Sequence, residues 1–169
     1  MPYDFDQIID RRQTNNVKWD RRAEVFGAGD LLPLWVADMD FAVPPGVTAA
    51  LSARIKHPVY GYTFPPPEFY QAVIDWLAKR HHWNVKPEWL LVTPGVVPAL
   101  NLAVLAFTRP GETVLIQPPV YRPFFRAAEN NGRRLALNPL KEVNGGYTID
   151  FSQLEAVVDS KVKLMIFCS

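Results

Sequence analysis

The residues with the plainest chemical potential lie in Leu90-Leu91-Val92-Thr93-Pro94-Gly95-Val96-Val97-Pro98-Ala99-Leu100, with Tyr121 further downstream. A short apolar run ends in Thr-Pro-Gly, and a helical pattern through Leu100, Leu102, Val104 and Leu105 comes next. This order predicts a strand, a tight glycine turn, and a helix whose first amides have no partners inside the helix. Free N–H groups and the positive end of the helix dipole suit a phosphate. Gly95 would let the backbone approach an anion closely, and Pro98 suits the first turn, where a missing N–H costs nothing. A plain strand-to-helix turn without a ligand satisfies the same pattern. A second candidate is the irregular apolar segment from Leu31 to Phe41, which carries Asp38 and Asp40. Two carboxylates beside Trp35 and Phe41 do not suit a buried strand. In the simpler reading Asp40 caps the next element; in the other, the segment is a substrate loop whose amides face a ligand carboxylate.

Composition narrows the classes without choosing among them. The chain has 169 residues and is 49% hydrophobic, enough for a real core in one domain of ordinary size. Eighteen Lys and Arg against 17 Asp and Glu leave no bulk attraction to nucleic acid or acidic lipid. One cysteine, Cys168, excludes an intramolecular disulfide framework and fits a reducing compartment. Met1 to Arg12 is acidic and amphipathic, unlike a signal peptide, and no apolar run approaches membrane-spanning length. A soluble, cytoplasmic protein is the expectation. Adjacent His81 and His82 point to different sides, and no third ligand suggests a metal, so they read as helix-end residues.

The elements that must position these candidates are set by punctuation and period. Residues 1–30 are polar and broken and read as an arm lying on something else. Val47, Leu51 and Ile55 give a helix between Pro44 and His57, and Glu68 to His82 forms the clearest helix. Between them, Pro58 to Pro67 is an aromatic and proline loop; its tyrosines, Tyr60 and Tyr62, either contact a ligand or partner subunit or anchor the loop. Beyond the glycine turn the segments alternate: strand Thr113–Gln117, helix Val120–Asn131, strand Arg133–Leu137. An Asn144-Gly145-Gly146 turn, a helix over Phe151 to Val158 capped by Asp150, and strand Lys163–Cys168 complete the series. Strands alternating with helices predict a mostly parallel α/β sheet, with ligands at the strands' carboxyl ends. The Gly95 turn, Pro118–Tyr121 and Ser169 are expected together at that edge.

Four motifs in order carry a family resemblance. Trp35-Val36-Ala37-Asp38-Met39-Asp40-Phe41, Tyr60-Gly61-Tyr62-Thr63, Thr93-Pro94-Gly95-Val96-Val97-Pro98-Ala99-Leu100 and Pro119-Val120-Tyr121-Arg122-Pro123-Phe124-Phe125 resemble the PatB/MalY-type C–S lyases. These are cystathionine β-lyase-like, pyridoxal 5'-phosphate enzymes of the class I/II aminotransferase superfamily, fold type I. The resemblance implies an α/β fold: the three-layer, mostly parallel sheet of the large domain, incomplete here and preceded by an N-terminal arm. It sets residues 1–46 as arm and substrate loop and residues 47–169 as the first part of the cofactor-binding domain. By the same resemblance, the amides of Gly95, Val96 and Val97 hold the cofactor phosphate and Tyr121 stacks on its ring. Tyr62 would reach the phosphate of the neighbouring subunit in a homodimer, and Val36 and Ala37 would face the substrate carboxylate. Arg122 receives no role.

The resemblance also implies absences. Such enzymes are more than twice this length, and the cofactor's Schiff-base lysine, the aspartate for its ring nitrogen and the arginine for the substrate carboxylate lie beyond this stretch. Lys163 formally fits Ser160-x-x-Lys163, yet it opens its strand at the edge opposite the cofactor. Lys18, Lys56, Lys79, Lys86, Lys141 and Lys161 read as polar, solvated residues without a route to a low pKa. The expected activity is therefore that of a partial β-lyase for cysteine S-conjugates such as cystathionine, inactive alone. An aminotransferase fragment, or a non-catalytic product that only binds ligand or partner, are the alternatives.

Overall fold

Polar residues and glycine interrupt the first 30 positions, so the helices there are short. Residues 3–168 are described in a computed structural model, and the chain falls into two compact units, Met1–Pro65 and Pro66–Ser169. In the first unit, α1 (Val17–Asp20) is capped by Asn16, whose side chain accepts from the Trp19 amide, and α2 (Arg22–Phe26) ends at Gly27 with φ 75°. Arg22 then ties the arm to the segment beyond it, donating from Nε to the Trp19 carbonyl at 2.7 Å and from NH1 to the Leu31 carbonyl at 2.6 Å. Phe26 and Trp35 meet edge to face, 5.4 Å between ring centres. The arm thus folds onto its own unit. Helix α3 (Pro45–Ile55) starts with proline in its first turn, as Pro44 to His57 predicted, and its stripe of Val47, Leu51 and Ile55 stays exposed within the unit.

The second unit opens with α4 (Pro67–His81), whose basic last turn and left-handed His82 put both histidines at a helix end. A 3₁₀ turn (Pro87–Trp89) leads through Leu90–Val92 to α5 (Val96–Phe107). Then come β1 (Thr113–Ile116), α6 (Pro123–Glu129), β2 (Arg134–Leu137), β3 (Lys141–Val143), β4 (Gly146–Thr148), α7 (Phe151–Val157) and β5 (Val162–Ile166). Proline sets the start of α6 at Pro123, three residues later than expected, because its fixed φ suits the first helical position. Asn144 and Gly145 take left-handed φ values of 53° and 75° and close the β3–β4 hairpin, and Asp150 caps α7 through the Gln153 amide, both as expected.

The principal sheet is parallel, in the order β2-β1-β5. Central β1 is buried along its whole length. Val114 and Ile116 pack with Val104 of α5, Ala127 and Ala128 of α6, and Ile166 of β5. The two alanines let α6 lie close on the sheet, and each buried Val or Ile contributes about 1.5–3 kcal/mol by leaving water.

One expected strand is not a strand. Leu90–Val92 continues in extended backbone, Leu90 having φ −97° and ψ 118°, but pairs with no other strand among the described residues. Leu91 is 90% exposed. Strand status requires a ladder partner, and the three-stranded sheet contains none for this segment.

Candidate active site

The glycine turn is built as its residue types require. Gly95 sits ahead of α5 with φ 131°, a backbone conformation side chains rarely adopt. Thr93 Oγ1 donates to the Gly95 carbonyl at 3.0 Å, and the Ala99 amide donates to the same oxygen at 3.1 Å. The amides of Val96 and Val97 precede the first intrahelical bond and point out of the helix start, where no side chain caps them. Val96 and Val97 are both exposed, Val96 more fully. The first turn also forms one wall of a shallow apolar groove shared with Phe69 and Val73 of α4 and with Leu90–Val92.

Helix α5 has a definite direction. Its end, Thr108, receives Arg133 Nε on its hydroxyl at 2.8 Å and Arg133 NH2 on its carbonyl at 2.7 Å, just ahead of β2. Its carboxyl end is therefore beside the amino ends of the strands, and its start, about 18 Å away, points toward their carboxyl ends. Because Leu90–Val92 is unpaired, the Gly95 turn reaches that side as a helix start and not as the exit of a paired strand. Ser169, expected at the same edge, lies outside the described residues.

Tyr121 arrives there through β1. The strand exit is held by buried amides: Gln117 Nε2 donates to Asn138 Oδ1 at 2.7 Å, and the Asn138 amide donates to the Ile116 carbonyl at 3.0 Å. Asn138, fully buried, also donates from Nδ2 to the Asp150 carbonyl at 3.0 Å and to Gln153 Oε1. Gln153 returns a bond to the Leu137 carbonyl at 2.9 Å. This closed network fixes the ends of β1 and β2 and the start of α7. Beyond it, Tyr121 accepts on its carbonyl from the Phe124 amide at 3.0 Å and sets its ring edge to face against Phe124, with most of the ring exposed.

Lys163 is at the other edge. It is skipped in the pairing of Thr113 with Val162 and Val114 with Leu164, and it lines a groove with Thr108, Arg109 and Glu112 at the strands' amino ends. The expectation of an edge position opposite the candidate site is borne out.

In the first unit, Trp35–Phe41 is held by charge. Asp40 accepts from Lys18 Nζ at 2.6 Å, Arg11 NH1 at 2.6 Å and Trp19 Nε1 at 2.7 Å. Asp38 pairs with Arg11 NH2, and its carbonyl accepts from Lys18 Nζ at 2.8 Å. Lys18, then Trp19 and Arg11, hold the Asp40 carboxyl far below the usual carboxylate range, while Arg11 lowers that of Asp38. Two expectations are corrected here. Asp40 caps nothing, since α3 is led by Pro44 without a side-chain cap, and the acceptor sites of Asp40 are already filled by three donors. Lys18 is buried, not solvated, because it closes this cluster.

Between the anchors, Val36 is half-buried and Ala37 exposed, and among the described residues neither backbone amide donates a hydrogen bond. The two tyrosines of the next loop divide their roles. Tyr60 is pinned, its hydroxyl donating to the Ile55 carbonyl at 3.2 Å and its ring 5.0 Å below the Arg54 guanidinium. Tyr62, after Gly61 at φ 48°, is wholly exposed. Gly95, Val96, Val97 and Tyr121 thus share the second unit, and Val36, Ala37 and Tyr62 the first. Sequence reasoning missed Arg11, Lys18 and Trp19; the signal was two carboxylates in an apolar segment, which demand nearby donors.

An α/β unit with a glycine-started helix at the carboxyl side of a parallel sheet defines a class, and comparison with known proteins agrees. Residues 30–169 match the class I and II aminotransferases, and the chain belongs to that family. Within it, the chain is 49% identical to cystathionine β-lyase PatB of Bacillus subtilis (strain 168) over 98% of its length, and 33% identical to MalY of Escherichia coli (strain K12) over 99%. The PatB/MalY resemblance carried by the four motifs is therefore borne out. The chain spans about 43% of the length of both relatives. Among solved structures, cystalysin from Treponema denticola, which contains pyridoxal 5'-phosphate, superposes with a TM-score of 0.92 at 40% identity, covering 100% of this chain and 44% of cystalysin. The pyridoxal-phosphate-bound C–S lyase of Staphylococcus hominis gives 0.88 at 33% identity, covering 98% of this chain and 42% of the lyase. The incomplete parallel sheet with helices is the fold these neighbours share.

Among the described residues, no helix is long and apolar enough to cross a membrane.

Proposed function

We propose that this chain is the amino-terminal part of a pyridoxal 5'-phosphate-dependent C–S β-lyase acting on cysteine S-conjugates such as cystathionine, and that it supplies binding surfaces but not the proton-transfer group. The observation that carries the reading is Gly95 at φ 131° ahead of an uncapped α5, with the Val96 and Val97 amides turned outward. That turn fits a phosphate: its amides donate, its dipole is positive, and the glycine keeps the backbone bare. When bound, the cofactor supplies an electron sink that lets bonds at the substrate's α- and β-carbons break, giving a thiol, pyruvate and ammonia. Gly95, Val96 and Val97 orient it by its phosphate, and Tyr121 covers a ring face.

Val36 and Ala37 receive the substrate carboxylate on their unpaired amides. Exposed Tyr62 reaches the phosphate in the other subunit of a homodimer, in the cytoplasm. Lys163, at the amino edge of the sheet, takes no part. The test is cofactor retention in the complete enzyme. Gly95→Val strains a backbone at positive φ and is expected to release cofactor on dialysis; Tyr121→Ala is expected to weaken retention by about 1 kcal/mol. Absorbance of retained cofactor reads both. If the two variants hold it as tightly as the parent, the phosphate and ring assignments are wrong.

A further inference from the structure

The segment that presents Val36 and Ala37 is fastened on both sides by one residue. On its amino side, Trp35 Nε1 donates to the Lys18 carbonyl at 3.1 Å. On its carboxyl side, Lys18 Nζ donates to the Asp38 carbonyl at 2.8 Å and to Asp40 Oδ2 at 2.6 Å. Lys18 therefore spans Val36–Ala37 from behind, using its main chain for one end and its ammonium for the other. Its side chain is only 9% exposed, unusual for lysine, so little solvent competes for these bonds. Arg11 reinforces the carboxyl side through Asp38, Asp40 and the Met39 carbonyl, and Trp19 through Asp40. Nothing comparable touches the Val36 and Ala37 amides themselves, which remain free among the described residues.

We infer that Lys18 is a positioning residue: it clamps Trp35 and Asp38–Asp40 so that the intervening Val36 and Ala37 amides are held at fixed spacing for a substrate α-carboxylate. The inference rests on the proposed role of Val36–Ala37 and adds to it the part of the arm that makes that role selective. An ammonium is needed because Lys18 must donate to two acceptors at once, the Asp38 carbonyl and Asp40 Oδ2, the second of them a charged carboxylate. Methionine matches the length of lysine but offers no donor. Arginine keeps charge and donors.

Two readouts on the complete holoenzyme separate clamp from substrate role. Solvent exchange of the Trp35 indole proton, followed in protein carrying ¹⁵N-tryptophan, reports the clamp alone. The ratio of kcat/KM for an amino-acid substrate to that for its α-carboxamide reports carboxylate recognition. Lys18→Met is expected to speed indole exchange about tenfold and to cut the acid-to-amide ratio about tenfold, mainly through KM, with kcat kept; Lys18→Arg is expected to restore most of both. A folded Lys18→Met enzyme with parental exchange and ratio overturns the inference. So does a loss that falls equally on acid and amide. If Lys18→Met does not fold, Trp35→Phe decides, since it removes the indole bond to Lys18 while keeping an aromatic ring to face Phe26: an unchanged ratio overturns the clamp and a reduced one supports it. A parent enzyme that does not prefer acid over amide contradicts the role of Val36–Ala37 itself, whatever the indole exchange shows.

Discussion

Gly95 and Asp40 show how single residues set local conditions. At Gly95 space is not the obstacle to a side chain: a Cβ would meet Pro98 Cδ at 3.6 Å, an ordinary contact. The obstacle is φ 131°, so even Gly95→Ala distorts the turn that aims the amides. Asp40 acts through charge. Its folded pKa lies below the ordinary 3.8, so the unfolded state takes up protons first as pH falls. The stabilisation from Asp40 is present above about pH 4 and is lost as pH falls from there toward the folded value. Tryptophan fluorescence of the arm is expected to stay constant from neutral pH to about pH 5 and to change only below about pH 4. Asp40→Asn is expected to loosen the arm at neutral pH already and to remove most of that acid step. An acid titration indistinguishable between the two proteins would exclude Asp40 as the anchor.

Among the elements, the buried amide network at the exit of β1 has the largest leverage on the site. Removing Asn138 leaves Gln117 Nε2 and Gln153 Oε1 without the partner that the network gives them. In the complete enzyme, Asn138→Leu is expected to cost about 2 kcal/mol, read as a lower urea midpoint, and to loosen Tyr121 with it. A midpoint within error of the parent would show that the network is dispensable. Elements of this kind were only partly legible in the sequence. Helix α4, the β3–β4 hairpin, the Asp150 cap and the strand–helix alternation were readable because period and punctuation agree locally. Leu90–Val92 was misread because an apolar run looks the same with or without a ladder partner. Lys18 was misread because its neighbours Asn15 and Asn16 are polar, while its burial comes from Asp40, 22 residues away. The turn at Gly95 was legible from residue types; the clamp behind Val36–Ala37 was not, since it is made wholly of long-range bonds.

At the scale of the molecule, β5 and β2 form the two edges of a three-stranded sheet, and Leu90–Val92 lies outside it. Leu91, Val92, Phe107 and Phe167 are all more than half exposed. Bare strand edges with apolar flanks favour association over a stable monomer. The 169-residue chain on its own is expected to bind a hydrophobic dye and to melt without a sharp transition. One cooperative melt from a monomer with dispersed amide resonances would show instead a self-sufficient domain. The central claim, that this stretch carries binding surfaces but no competent proton-transfer lysine, has a more direct test. The chain is mixed with pyridoxal 5'-phosphate and cystathionine, pyruvate is measured, and a parallel sample is treated with borohydride. Pyruvate release no faster than with free cofactor, and no lysine labelled stoichiometrically, is the expected result; turnover above that background, abolished by Lys163→Ala, would contradict it.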